Sequence, residues 1–204
     1  MPESQDLLES HTRAWHSLWR RYDVEVRARD SAQLVLRLHI FHLLQTISPH
    51  TIGLDVGVPA RGLHGEAYRG HIFWDEMFMF FFYTLRIPEV TRSLLLYRYR
   101  RLGAARLGAK EAGYEGAMYP WQSGSDGTEE TQKVHLNPIS GRWLDDHSRL
   151  QRHVNVAIVY NIWQYLQASG DMEFMVYYGA EMVLEIARFW ASISTYNKKT
   201  KRYE

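Results

Sequence analysis

The sequence predicts an all-α fold: six helices joined by long polar loops, with almost no strand. Apolar residues recur at three- and four-residue spacing over six separate segments. Alternation of period two is confined to short pieces. Two stretches, 49–72 and 113–146, show no sustained period, and the second is rich in Gly, Ser, Asp and Asn while holding Trp121 and Trp143.

The first helix spans 5–20, where Leu7, Leu8, His11, Trp15, Leu18 and Trp19 form one stripe. A short extended piece covers 23–28. Asp30 or Ser31 caps a second helix over 32–47, which Ser48-Pro49 ends. Its apolar face reads Leu34, Val35, Leu38, Phe41, Leu44. The 49–72 loop exceeds the roughly 12–15 residues beyond which a loop inside a compact domain is usually functional. A third helix starts at Trp74 or Asp75, where acid in the first turn suits the helix dipole, and ends before Pro88. Phe on every side of it predicts burial by neighbours on both flanks. A fourth opens on Pro88-Glu89 and continues toward Lys110. The fifth covers 148–168, closed by Ser169-Gly170, and the sixth 172–194. The tail reads as a hairpin turning at Asn197-Lys198-Lys199.

With 204 residues, the chain suffices for one good core, and 1–204 reads as a single domain. Apolar residues at 46% and aromatics at 14% exclude a disordered chain. The net charge of +1 excludes a global field that would recruit nucleic acid or an anionic membrane. There is no cysteine, hence no disulfide or thiolate metal site, which fits a cytoplasmic protein. The start MPESQDLLESHTRAW lacks a signal-peptide pattern, and the longest apolar run, Met77–Tyr83, is far short of the roughly 20 residues of a membrane span. No GxGxxG, GxxxxGK[ST] or GxSxG motif is present, so no cofactor is expected.

Three acidic pairs stand near tryptophan: Asp75/Glu76 after Trp74, Glu129/Glu130 on the Trp121 loop, and Asp145/Asp146 after Trp143. One such pair alone is usually a solvated cap or turn. Repetition beside indole favours sugar binding, in which the flat ring covers the C–H face of a pyranose and carboxylates accept from hydroxyl pairs. For Asp75 the bland reading is a helix N-terminal acid worth about 0.3–1 kcal/mol. The two readings are compatible, the carboxylate capping a buried helix while facing a pocket. Histidines offer a rival in His39, His42, His64 and His71 with Glu66, but no HExxH-type spacing supports a metal site. The basic runs at Arg98–Arg101 and Lys198–Arg202 lie on a helix with acidic neighbours and on a turn, which disfavours nucleic acid.

Four segments together resemble glycoside hydrolase family 65: GLHGEAYRGHIFWDE (62–76), PEVTRSLLLYRYRRLGAAR (88–106), GAMYPWQSGSDGTEET (116–131) and HLNPISGRWLDDHSRLQRHVNVAIVYNIWQYLQASGD (135–171). That family holds inverting phosphorylases of maltose, trehalose and kojibiose and some hydrolases. The resemblance implies an (α/α)6 barrel of twelve helices, of which this chain supplies about six, a half toroid. It implies that Trp74 and Asp75 hold a donor glucose. It places Trp121, Gln122, Glu129 and Glu130 where the family shapes the donor and acceptor ends of its pocket. An α-linked glucose disaccharide is the implied substrate, and inorganic phosphate the co-substrate of a phosphorylase. At Phe81 relatives usually carry Pro, so the third helix is expected to be less kinked.

The family's general acid follows a segment like Lys201–Glu204, so it is expected beyond Glu204. The N-terminal β-sandwich and the C-terminal half of the ring are likewise expected outside 1–204. The chain alone is then expected to bind sugar without cleaving it, and to pair with itself through apolar helix faces. The alternative reading is a non-catalytic helical scaffold derived from the family.

Overall fold

The computed structural model describes residues 4–27, 30–63, 65 and 67–203. The chain divides into two compact units, Met1–Thr46 and Ile47–Glu204.

The first unit is a pair of helices, α1 (Ser4–Tyr22) and α2 (Asp30–Thr46). Trp15 of α1 lies against Phe41 of α2 with ring centroids 4.9 Å apart, and His11 and Trp19 flank it along α1. Residues 23–27 form no strand. The Gln33 side chain holds them, donating to Val24 O and accepting from the Val26 amide, and Arg37 forks onto Asp23. Helix α2 starts two residues before Ala32; the Asp30 side chain lies outside what is described. Its buried residues are Ile40 and Leu44, whereas Leu34, Val35 and Leu38 are exposed, which corrects the expected face. Apolar residues surround α2, so periodicity alone did not select a side.

The second unit contains α3 (Glu76–Arg86), α4 (Pro88–Arg100), α5 (Leu102–Glu111), α6 (His153–Ser169), α7 (Met172–Phe174) and α8 (Ala180–Ile193). Helices α3, α4 and α6 pack on one another, and α8 packs on α5 and α6. The core between them includes Phe80, Tyr83, Ile87, Val90, Leu94, Ile158, Ile162, Phe174, Met182 and Phe189. Ile87 ends α3 and begins α4; its φ of −145° and ψ of 65° make the turn, and Pro88 starts α4 where a missing N–H costs nothing.

The expected fourth helix is two helices. The break is at Arg101 (φ −100°, ψ 8°), whose guanidinium stacks 3.6 Å from the Tyr97 ring centre and bonds Tyr97 O, Asp55 and Ser125 O. The expected fifth helix begins later, at His153, behind a 3₁₀ turn at Ser148–Leu150. The expected sixth is α7 and α8 joined by a π-helical turn, Met175–Gly179. Gly179 permits that turn, since a Cβ there would meet Met175 Sδ at 2.9 Å. Asp171 caps the start, accepting from the Phe174 amide while pairing with Arg92.

Strand content exceeds the expectation. An antiparallel hairpin, β1 (Val134–Asn137) with β2 (Arg142–Asp145), occupies part of the long 113–146 loop. Its turn is closed by Asn137 Oδ1, which accepts from the Ile139 and Ser140 amides, a local Asx pattern. The expected terminal hairpin is β3 (Tyr196–Asn197) with β4 (Arg202–Tyr203).

Helix α3 is covered on one flank. Phe80 and Tyr83 are buried against α4 and α6, but Phe78 and Phe81 are 63% and 66% exposed, which corrects the expectation of burial on both sides. Val156, Tyr160 and Trp163 of α6 are exposed as well.

The deepest polar contact joins α3 to α4. Arg98 donates from Nε and Nη2 to Glu76 Oε2 at 2.9 and 2.8 Å, and from Nη2 to Phe73 O at 3.1 Å. Both side chains are nearly solvent-free, at 1% and 2%. Burial raises the Glu76 carboxyl, opposed by the Arg98 charge and hydrogen bonds and by the Val58 amide. Removing one partner strands a charge in the core. Glu76→Ala or Arg98→Ala is expected to cost about 3–5 kcal/mol in urea unfolding, and Glu76→Leu combined with Arg98→Met much less than the two single losses summed. Gly116→Ala is expected to destabilise severely, because φ is +70° and a Cβ would lie 2.2 Å from Glu185 O; a lowered Tm, or insoluble protein, is the readout.

Candidate functional site

Two loops meet at the N-terminal ends of α3 and α6. They are joined by a short antiparallel bridge in which the Ile72 amide donates to Ser123 O and the Ser123 amide to Ile72 O, at 3.0 and 2.9 Å. The bridge sets Phe73 edge-on to Trp121 at 5.6 Å. Asn155 draws α6 to the same place, since its Oδ1 accepts from the Tyr119 amide at 2.8 Å and its Nδ2 donates to Arg152 O. His153, the first residue of α6, consequently lies against both indoles, 4.8 Å from Trp74 and 5.0 Å from Trp121 between ring centroids.

Trp74 and Trp121, distant in sequence, are thus brought together through one imidazole. His153 was not singled out from sequence. The available signal was its place in the 135–171 segment that carries the family resemblance, and nothing local marks it as facing the third helix.

Asp75 and Glu76 behave differently. Glu76 is consumed by Arg98. Asp75 is half-buried at the N-cap position of α3, but its side chain makes no capping bond, which corrects the expected cap. Its backbone is already helical (φ −54°, ψ −22°), whereas a capping residue normally sits in the extended region from which its oxygen reaches back. Burial pushes the Asp75 carboxyl up, with its own backbone amide and the Arg61 charge opposing.

Glu129 is bound to its own loop. Its carboxylate accepts from the Trp121, Gln122 and Thr131 amides at 2.8, 3.1 and 3.1 Å. Glu130 instead lines a cavity of about 250 Å³ together with Tyr68, Arg69, Phe73, Trp121, Gln122 and Asp146. Gln122 also contacts His71 Nδ1 at 3.0 Å. Trp74 and Asp75 are not among that cavity's lining; Phe73 and His153 connect them to it. Asp146 spends one oxygen on the Ser148 amide, and those bonds hold its carboxyl low. Trp143, on β2, is exposed.

Among the described residues, no group of three His, Asp or Glu side chains is arranged to hold a metal. His64 and Glu66, two of the candidate ligands, lie outside the described residues. No described helix is long and apolar enough to cross a membrane.

Because the folded Asp75 binds its proton more tightly than an unfolded aspartate does, its contribution favours the fold at acidic pH and is lost as pH rises through the raised value. Asp75→Asn is therefore expected to raise Tm relative to wild type at neutral pH, with the difference shrinking below the ordinary aspartate range. Glu129→Ala is expected to speed amide hydrogen exchange at Trp121, Gln122 and Thr131 while leaving α4 protected.

Residues 37–204 match the glycosyl hydrolase family 65 central catalytic domain. The chain is 54% identical over 97% of its length to an uncharacterized glycosyl hydrolase of Mycobacterium tuberculosis, covering 15% of that protein. It is 44% identical over 89% of its length to trehalose 6-phosphate phosphorylase of Lactococcus lactis, and 41% identical over 97% to kojibiose phosphorylase of Caldanaerobacter subterraneus, covering 24% and 25% of those proteins. A solved structure given as a kojibiose phosphorylase from the human microbiome superposes with a TM-score of 0.80 at 27% identity, over 99% of this chain and 25% of that one. The chain thus spans a quarter or less of the length of each of these relatives. By the extent of the match and the level of identity, this all-α chain belongs to glycosyl hydrolase family 65.

Proposed function

We propose that this chain supplies the glucose-binding end of an enzyme that cleaves an α-glucosidic bond of a disaccharide, by inverting phosphorolysis or by hydrolysis. One observation carries the reading: two indoles from separate loops converge on His153, beside an aspartate that no helix cap consumes. Indole faces cover the apolar side of a pyranose, and a partly desolvated carboxylate makes strong bonds to its hydroxyls. Trp74 and Asp75 hold the donor glucose in this reading, and Trp121, Gln122 and Glu130 bound the adjoining cavity, with Glu129 acting through the Trp121 amide.

Inverting cleavage needs a general acid for the leaving oxygen and an activated nucleophile on the opposite face. When phosphate attacks, one carboxylic acid suffices, and inorganic phosphate is the co-substrate. We assign the acid to sequence outside 1–204. Without it the chain binds but does not cleave, the lost acid catalysis being worth typically about 10²–10⁴-fold. The exposed apolar residues of α3 and α6, Phe78, Phe81, Tyr160 and Trp163 among them, support the further reading that these helices line a ring completed by other sequence. Left uncovered, the same faces pair two copies, which sedimentation velocity reads as a concentration-dependent dimer.

Tryptophan fluorescence tests the site. Glucose or kojibiose is expected to give a saturable change, with apparent affinity reduced about tenfold or more in Asp75→Ala, as follows from losing a charged hydrogen-bond partner. An unchanged titration in Asp75→Ala would remove the reading.

A further inference from the structure

Helix α5 borders a separate cavity of about 340 Å³, a size that admits a small molecule. Ala104, Gly108 and Ala112 follow at four-residue spacing along α5 and its end, so no long side chain there fills the space opposite Met118 and Pro120. The Met118 amide nonetheless ties that loop to α5, donating to Ala105 O at 2.9 Å. Leu107, Met118 and Pro120 supply apolar wall, and Glu111, Glu129, Arg149 and Arg152 supply charge.

The charges are not equally spent. Glu129 is committed to the Trp121, Gln122 and Thr131 amides. Glu111 is exposed on the last turn of α5, where water screens it. Arg152 is only partly exposed and forms no ion pair among the described residues; one terminal nitrogen donates to Arg149 O, which leaves the rest of the fork unused. Burial works against its charge and Glu129 supports it. Arg152 is also the N-cap residue of α6, where the helix dipole disfavours a cation. A partly desolvated guanidinium at the positive end of a helix, with no counter-charge in contact, is unfavourable on both grounds.

We infer that this cavity binds a small monocarboxylate with an apolar body, the carboxylate taking the free side of the Arg152 fork and the hydrocarbon lying against Leu107, Met118 and Pro120. Guanidinium and carboxylate match in shape and charge. A doubly charged anion is disfavoured by the Glu111 and Glu129 carboxylates in the same lining, and a neutral apolar molecule leaves Arg152 unpaired. Glu129 joins the cavity to the Trp121 loop, because the side chain that lines the one fixes the amides of the other. An occupant that excludes water from Glu129 strengthens those bonds and stiffens the loop. The inference does not depend on sugar binding beside Trp121.

The test is calorimetric titration of the chain with hexanoate and phenylacetate at neutral pH, with acetate and hexanol as the charge-only and apolar-only controls. Saturable binding of hexanoate or phenylacetate is expected, about tenfold or more tighter than either control. It is expected to weaken about tenfold or more in Arg152→Gln, which removes the charge and keeps an amide, and in Leu107→Asp, which sets a like charge at a wall position 56% exposed and so spares the core. Asp75→Ala is expected to leave it unchanged; weakening there would assign the binding to the proposed sugar site and overturn the inference. Amide exchange at Trp121, Gln122 and Thr131 is expected to slow severalfold at saturating ligand, and unchanged exchange overturns the link to the Trp121 loop. No saturable binding of either carboxylate, binding no tighter than acetate or hexanol, or binding untouched by both Arg152→Gln and Leu107→Asp overturns the site.

Discussion

One buried guanidinium organises the second unit. Arg98 is held by Glu76 at the start of α3, donates to Phe73 O in the loop before it, and through its own carbonyl accepts from the Tyr119 hydroxyl in the loop before Trp121. Three segments distant in sequence are therefore tied within one residue of Trp74, and within two of Trp121. Desolvating this pair offsets most of its Coulomb attraction, so its contribution lies in selecting one arrangement of the loops rather than in net stability. An apolar replacement of similar volume would fill the space without specifying where Phe73 O and Tyr119 must sit.

The acidic pairs follow one pattern. Glu76 holds the core while Asp75 stays uncommitted at the helix start. Glu129 gathers three backbone amides while Glu130 faces a cavity. Asp146 caps the Ser148 turn while Asp145 sits on the exposed face of β2. Each committed carboxylate gives its loop a fixed shape, and a loop so fixed presents its aromatic side chain without losing much freedom on binding. A carboxylate left partly desolvated with no side-chain hydrogen bond, as Asp75 is, is unfavourable for folding.

The helices were legible because their signals are local. Pro88 at a helix start, Ser169-Gly170 at a helix end and the 3.6-residue stripes of α1, α6 and α8 need no distant partner to act. The hairpin of β1 and β2 was hidden because its strands are only four residues long and β2 is exposed throughout, too short a signal to separate them from loop. The break at Arg101 was hidden for the opposite reason: Asp55 and Ser125, which hold its guanidinium, come from elsewhere in the chain.

By itself the sequence determined the all-α class, the places of most helices, and the residue types of the proposed sugar site, since periodicity, caps and motif order act at short range. Tertiary structure alone decided which carboxylate of each pair is spent, which flank of α3 is covered, and that His153 joins Trp74 to Trp121. Those outcomes depend on which surfaces meet in space. Burial and charge pairing between segments that are remote along the chain carry no local trace.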